Sequence, residues 1–140
     1  MRILVINGPN LNLLGVREPR LYGHRTYAEL ERFVAAEAAK LGVEVELRQS
    51  NHEGEIVDWI QRARGGFDAL ILNAAAYTHP SVAILDALKG TGLRTVEVHL
   101  TDPDLREDFR KVNFVRPAAE RTFKGEGFGS YAAALRYLRG

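Results

Sequence analysis

The segment Glu97-Val98-His99-Leu100-Thr101 carries a pattern suited to acid–base chemistry. Alternate side chains of a strand share a face, which puts Glu97, His99 and Thr101 together. A carboxylate two residues from an imidazole can orient the ring and keep it protonated, as a general acid requires. A surface Glu/His pair is the ordinary alternative, and it weakens if the strand is buried on both faces. Tyr22 raises the complementary question. A phenol ionises near 10 and is a poor base at neutral pH, but nearby cations favour the phenolate. Arg17, Arg20 and Arg25 are close to it in sequence. The bland alternative is a tyrosine whose ring anchors its loop. A third stretch, Asn73-Ala74-Ala75-Ala76-Tyr77-Thr78-His79-Pro80-Ser81, runs into a helical pattern whose first N–H groups can hold an anion. Asp86 follows His79 by seven residues, about two helical turns, so the spacing predicts both on one side. Arg106 and Arg110 are four apart and predict a shared helical face, as an anion clamp or a solvated edge.

Other chemistries lack their residues. There is no cysteine, hence no disulfide, thiolate nucleophile or Cys-ligated zinc. The four histidines, His24, His52, His79 and His99, show no HxH or HExxH spacing, so no metal site is expected. Lys40, Lys89, Lys111 and Lys124 fall outside the candidate segments, which disfavours a Schiff base. No Gly-Lys-Ser/Thr occurs, and Gly125-Glu126-Gly127-Phe128-Gly129 is an incomplete dinucleotide fingerprint. One phenol, one imidazole, several arginines and neutral amides remain. That set suits proton abstraction beside a carbonyl followed by loss of a leaving group, with no cofactor.

Composition sets outer bounds. A net charge of +1 with scattered basic residues gives no footprint for nucleic acid. No run approaches the roughly 20 apolar residues of a membrane span. The apolar residues 3–6 stop at Asn7-Gly8-Pro9, short of a signal peptide, so the expected location is cytoplasmic.

The elements that must position these groups read as alternating strands and helices. Apolar runs predict strands at 3–6, 43–47, 69–72 and 95–100, with a weaker fifth within 119–124. The first and third are nearly all apolar, as parallel strands covered on both faces should be. Thr26-Tyr27-Ala28-Glu29 fits a capping box and Gly42 a left-handed C-cap, predicting a helix over about 27–41. Further helices are expected at about 55–64, from Pro80 to just before Gly90, and at 129–139. The alternation predicts right-handed crossovers and an α/β, flavodoxin-like, doubly wound five-stranded parallel sheet of order 2-1-3-4-5, a single domain over residues 1–140. Ligands of such sheets bind beyond the carboxyl ends of the strands, at the switch between the first and third. The segments after Ile6, Leu72 and Leu100 are therefore where a site belongs. The first is long, residues 7–23, against about 2–6 residues for an ordinary strand-to-helix loop. It holds three asparagines, two arginines and Tyr22, with Leu11, Leu13 and Leu14 expected to pack beneath them.

At this point the motifs become specific. Asn7-Gly8-Pro9-Asn10-Leu11-Asn12-Leu13-Leu14-Gly15 with Arg17-Glu18-Pro19 and Tyr22-Gly23 resembles the opening signature of type II 3-dehydroquinate dehydratases. Gln49-Ser50-Asn51-His52-Glu53-Gly54-Glu55 is similar to the family's second block. Asn73, Ala76-Tyr77-Thr78-His79, Ser81-Val82-Ala83 and Asp86-Ala87-Leu88 resemble the third; Glu97-Val98-His99-Leu100, Arg106-Glu107 and Phe109-Arg110 the fourth. The resemblance runs along essentially the whole chain. It implies conversion of 3-dehydroquinate to 3-dehydroshikimate by anti elimination through an enolate, the third step of the shikimate pathway. Carried over by position, Tyr22 would remove the C2 proton, with Arg17 stabilising the phenolate. His99, oriented by Glu97, would protonate the departing C1 hydroxyl, and Asn10 would hold a water that stabilises the enolate oxygen. Asn73 and the backbone amides of Leu100 and Thr101 would bind the carboxylate; His79, Asp86 and Arg110 the ring hydroxyls, with Asp86 reaching in from a neighbouring subunit. The resemblance also implies trimers grouped into a homododecamer.

The chain departs from the family pattern in places. Ala74-Ala75 stands for a usual Pro-Gly, and Thr101 for a serine. Asp102-Pro103 with Asp104 replaces an Asn-containing stretch, and Val112-Asn113 a histidine pair. The tail near Arg121 also differs. Two other readings are open: a non-catalytic flavodoxin-like module for a phosphorylated ligand or flavin, and a degenerate homologue kept as a partner protein.

Overall fold

An all-apolar parallel strand is stable only with both faces covered, and the computed structural model achieves this with helices on the two sides of one sheet. It describes the backbone of all 140 residues and every side chain except that of Tyr22. The strands are β1 (Arg2–Asn7), β2 (Glu44–Gln49), β3 (Ala69–Asn73), β4 (Arg94–Val98) and β5 (Arg121–Phe123), all parallel, in the order β2-β1-β3-β4-β5. The flavodoxin-like α/β sheet read from the sequence is the one observed. The helices are α1 (Pro19–Tyr22), α2 (Tyr27–Leu41), α3 (Glu53–Ala63), α4 (Val82–Thr91) and α5 (Gly129–Arg139).

Strand alternation divides the core in two. Ile3, Val5, Ala69, Ile71, Val96 and Val98 point to one face and pack under α2 and α5 with Leu30, Val34, Tyr131 and Leu135. Leu4, Ile6, Leu70 and Leu72 point to the other and pack under α3 and α4 with Ile56, Ile60, Ile84 and Leu88. Asn7 and Asn73, paired across β1 and β3, end the first of these rows and are both buried.

Most boundaries follow the expected caps. Thr26 Oγ1 accepts from the Glu29 amide at 3.2 Å, and Gly42 closes α2 at φ 69°. α3 begins two residues earlier than expected, at Glu53. The helix expected from Pro80 to before Gly90 instead runs from Val82 to Thr91. Ser81 Oγ accepts from the Ile84 amide at 3.0 Å and sets the start, while Gly92, at φ 65°, supplies the left-handed stop. Within residues 7–23 there is a 3₁₀ turn, Leu11–Leu13, and the single-turn α1. Leu11 and Leu14 are each 5% exposed and join the core, but Leu13 is 41% exposed. In a three-residue turn the positions i and i+3 eclipse, so one leucine must face out. Among the described residues no helix is long and apolar enough to cross a membrane.

Candidate active site

The site is built on the carboxyl ends of the two central strands. Asn7 and Asn73 direct their amides into the interior, where Tyr131 of α5 meets both: its hydroxyl donates to Asn7 Oδ1 at 2.6 Å and accepts from Asn73 Nδ2 at 2.9 Å. Asn7 Nδ2 donates to the Tyr27 hydroxyl at 3.3 Å, and Asn73 Oδ1 accepts from the Ala75 amide at 3.2 Å. Every polar atom of this buried row has a partner, which makes it rigid. Directly above it the loops after β1 and β3 cross closely. The Gly8 amide donates to the Asn73 carbonyl at 2.8 Å, and a Cβ on Gly8 would lie 2.5 Å from the Ala74 carbonyl oxygen. Only glycine fits there.

The segment after β2 joins the two loops from the side. Gln49 Nε2 donates to the Gly8 carbonyl at 3.1 Å and to Asn51 Oδ1 at 3.1 Å. Asn51 Oδ1 also accepts from the Asn10 amide at 3.0 Å, holding Asn10 at φ 69°, and its carbonyl accepts from the Tyr77 hydroxyl at 2.7 Å. Gln49 and Asn51 thus set the position of Asn10 without lining the cavity.

That cavity is small, about 80 Å³, and opens to solvent. It is lined by Asn10, Arg17, Asn73, His79, His99, Leu100, Thr101, Arg106 and Arg110, together with Pro9, Leu11, Ala75, Ala76 and Pro103. Arg106 and Arg110 do not share one helix: Arg106 follows a turn at Pro103–Leu105, and Arg110 lies in the next, Asp108–Lys111. Both still reach the cavity. Arg110 Nε pairs with Glu107 at 2.5 Å, and Arg106 with Glu18 at 3.7 Å. Three guanidinium groups and two imidazoles on one small cavity favour an anionic ligand. His79 Nδ1 donates to the Val112 carbonyl at 2.8 Å, which fixes its ring.

His99 sits just past the end of β4, tied to β5 by its amide on the Phe123 carbonyl at 3.0 Å. Its Nε2 lies 2.6 Å from Glu97 Oε2, so Nδ1 is the ring nitrogen not committed to that carboxylate. Glu97 is only 1% exposed. Burial pushes its carboxyl up, but the hydrogen bond and charge of His99, with donations from Asn113 and Thr122, outweigh that and hold it down at about 2. The dyad is therefore a buried anion holding an imidazole by one nitrogen.

Of the candidate residues, Asn10, Arg17, Asn73, His79, His99, Leu100, Thr101 and Arg110 line one cavity, with Glu97 behind His99. The side chain of Tyr22 lies outside the described residues. Arg25, one of the cations near Tyr22 in sequence, stacks on Phe128, 3.9 Å from the ring centroid, and on Phe33. Asp86 does not share a side with His79. It is exposed and lines a separate cavity with Val57, Gln61, Arg64 and Ala87 between α3 and α4. The two-turn spacing fails because α4 starts at Val82, leaving His79 off the helix. Sequence reasoning assigned no role to Asn7, Gln49, Asn51, Asn113 or Tyr131. A polar residue closing an apolar strand, as Asn7 does, is the signal that could have pointed to the first. Among the described residues no group of three or more His, Cys, Asp or Glu could hold a metal ion.

Comparison with known proteins places this site in a family. The model of the family described as dehydroquinase class II matches residues 1–139. The 3-dehydroquinate dehydratase of Phenylobacterium zucineum is 52% identical over 99% of this chain and 95% of its own length. That of Clostridium acetobutylicum is 45% identical over 99% and 96%. The crystal structure of the type II dehydroquinase from Butyrivibrio crossotus superposes with a TM-score of 0.98 at 42% identity, covering 100% of this chain and 98% of that one. The one from Propionibacterium acnes gives 0.95 at 37%, covering 99% and 95%. With its sheet order, its cavity and a match along nearly its whole length all in agreement, this chain belongs to the class II dehydroquinase family.

Proposed function

We propose that this protein is a hydro-lyase that removes water from 3-dehydroquinate to give 3-dehydroshikimate in the shikimate pathway, without a cofactor. The observation that carries the reading is the His99–Glu97 dyad opening on a cavity walled by Arg17, Arg106 and Arg110, in a chain of this family. A carboxylate substrate is drawn to the three guanidinium groups. Tyr22 takes the C2 proton as phenolate, helped by Arg17, and the electrons pass into an enolate that a water on Asn10 stabilises. The C1–O bond then breaks as His99 gives its proton to the leaving hydroxyl, which departs as water. Asn73 and the amides of Leu100 and Thr101 hold the carboxylate, while His79 and Arg110 hold ring hydroxyls. Asp86, remote from its own chain's cavity, completes the site of a neighbouring copy within a homododecamer of trimers. The protein works in the cytoplasm as a single catalytic domain over residues 1–140. A non-catalytic module is not favoured, since relatives at this identity are named as dehydratases.

Purified protein given 3-dehydroquinate, with no metal added, develops the ultraviolet absorbance of a conjugated enone. His99→Ala loses about 10²–10⁴-fold in rate, the usual cost of a general acid. A folded wild type that leaves the substrate unchanged overturns the assignment. Light scattering that finds a monomer overturns the role given to Asp86.

A further inference from the structure

The Glu97 carboxylate is held by more than its histidine. Asn113 Nδ2 donates to Oε2 at 2.5 Å, the same oxygen that takes His99 Nε2. On the other oxygen, Thr122 Oγ1 donates to Oε1 at 2.7 Å and Arg116 Nε at 3.2 Å. These donors come from two separate pieces of chain, β5 and the segment around the 3₁₀ turn Arg116–Ala118. They are themselves fixed. Asn113 Oδ1 accepts from the Val115 and Arg116 amides at 2.9 and 2.8 Å, so one side chain both caps the turn that carries Arg116 and grips Glu97. Arg116 Nη1 reaches Asp104 at 3.5 Å, Lys124 pairs with Asp104, and Lys124 pairs with Asp102 at 3.1 Å. The chain of contacts thus runs from the dyad to the turn that ends at Arg106 on the cavity wall. From β3 the residue in register with Glu97 is Leu72, which is apolar. Among the described residues, His99 and Arg116 are the ionisable groups in ion-pair contact with Glu97.

We propose that Asn113, Arg116 and Thr122 are positioning residues: together they hold Glu97 as a fixed anion, and through it set the ring of His99 for proton donation. The proposal rests on the reading of His99 as the acid. Its physical basis is that a carboxylate with one ligand can rotate or take the shared proton, whereas one with four donors does neither at low cost. Removing a donor makes the carboxylate more basic, so the protonation steps of the coupled pair move to higher pH.

Thr122→Val deletes one donor at nearly constant shape, and Arg116→Gln removes the charge while leaving a polar side chain. For each, kcat falls about tenfold with KM within about twofold, as expected for losing one hydrogen bond to a charged group. The alkaline limb of the kcat profile moves up by roughly one pH unit. Thr122→Ser, which restores the hydroxyl, returns both to wild-type values. A lowered melting temperature with kcat and the limb unmoved shows a purely structural role and overturns the proposal. Should Arg116→Gln fail to fold, the Thr122 pair carries the test. ¹⁵N resonances of the His99 ring, titrated in wild type and in Thr122→Val, give a reading independent of turnover. A midpoint shifted upward supports the cage even in a protein found inert towards 3-dehydroquinate, and an identical midpoint overturns it.

Discussion

The Tyr131 hydroxyl donates to Asn7 Oδ1 at 2.6 Å across 124 residues of sequence, joining the last helix to the first strand directly beneath the cavity. Tyr131 is fully buried, and burial pushes its phenol up, so it stays neutral as both donor and acceptor. Tyr131→Phe keeps the ring and leaves Asn7 Oδ1 and Asn73 Nδ2 without their partner. A buried polar group left unpaired costs about 1–3 kcal/mol, so the variant should lose roughly 3 kcal/mol. Urea unfolding checks this through the midpoint at constant slope. A loss below about 0.5 kcal/mol would mean that solvent reaches these groups.

Gly8→Ala tests the crossing of the two central loops. The added methyl meets the Ala74 carbonyl, which is backbone, so the loops after β1 and β3 must part. Overpacking of this kind costs typically about 1–3 kcal/mol. Displacement of Asn10 and Asn73 lowers kcat/KM by at least about tenfold, since misplacing site groups by an ångström costs up to about 10². Wild-type kinetics in a folded Gly8→Ala protein would show that the close approach does not set the site.

The sheet was legible because β1 and β3 are apolar on both faces and α2 carries its caps in plain view, at Thr26 and Gly42. The cavity wall was legible where chemistry and spacing coincide, as at Glu97 and His99. What escaped depends on contacts between distant segments. Leu13 was expected to pack with Leu11 and Leu14, but a 3₁₀ turn has a different period from the helix or strand that the run suggests. Asp86 was expected beside His79, and a shift of two residues in the start of α4 separates them. The cage around Glu97 draws Asn113 and Thr122 from two connections whose meeting no local pattern announces. In the structure Asn113 and Thr122 converge on Glu97, and Asp104 on Arg116.

Ala75 offers a stabilising substitution. It holds φ 52°, in the left-handed region, on the cavity wall. A left-handed alanine costs on the order of 1 kcal/mol relative to glycine, offset in part by the wider freedom glycine gives the unfolded chain. Ala75→Gly should therefore be neutral to stabilising by up to about 1 kcal/mol. A thermal melt that fell by several degrees would show that the Ala75 methyl makes packing contacts outweighing its strain.

Acid sensitivity should trace chiefly to Glu97. Its carboxyl is held at about 2, below the ordinary value of 4.5, so the folded state binds that proton less tightly than the unfolded chain does. The resulting stability is fully present above about 4.5 and is lost as pH falls from there towards 2. Its size is on the order of 3 kcal/mol, at roughly 1.4 kcal/mol per pH unit. Asp104, Glu107 and Glu120 are also held below their usual values, but they are solvent-screened and add little. Urea unfolding between pH 3 and 7 should show a stability that declines below about 4.5 in the wild type. Glu97→Gln should be less stable at neutral pH, by about 3–5 kcal/mol for breaking a buried pair, yet much flatter in the acid range. An equally steep acid decline in Glu97→Gln would place the acid sensitivity on other carboxylates and remove the anionic Glu97 on which the His99 orientation depends.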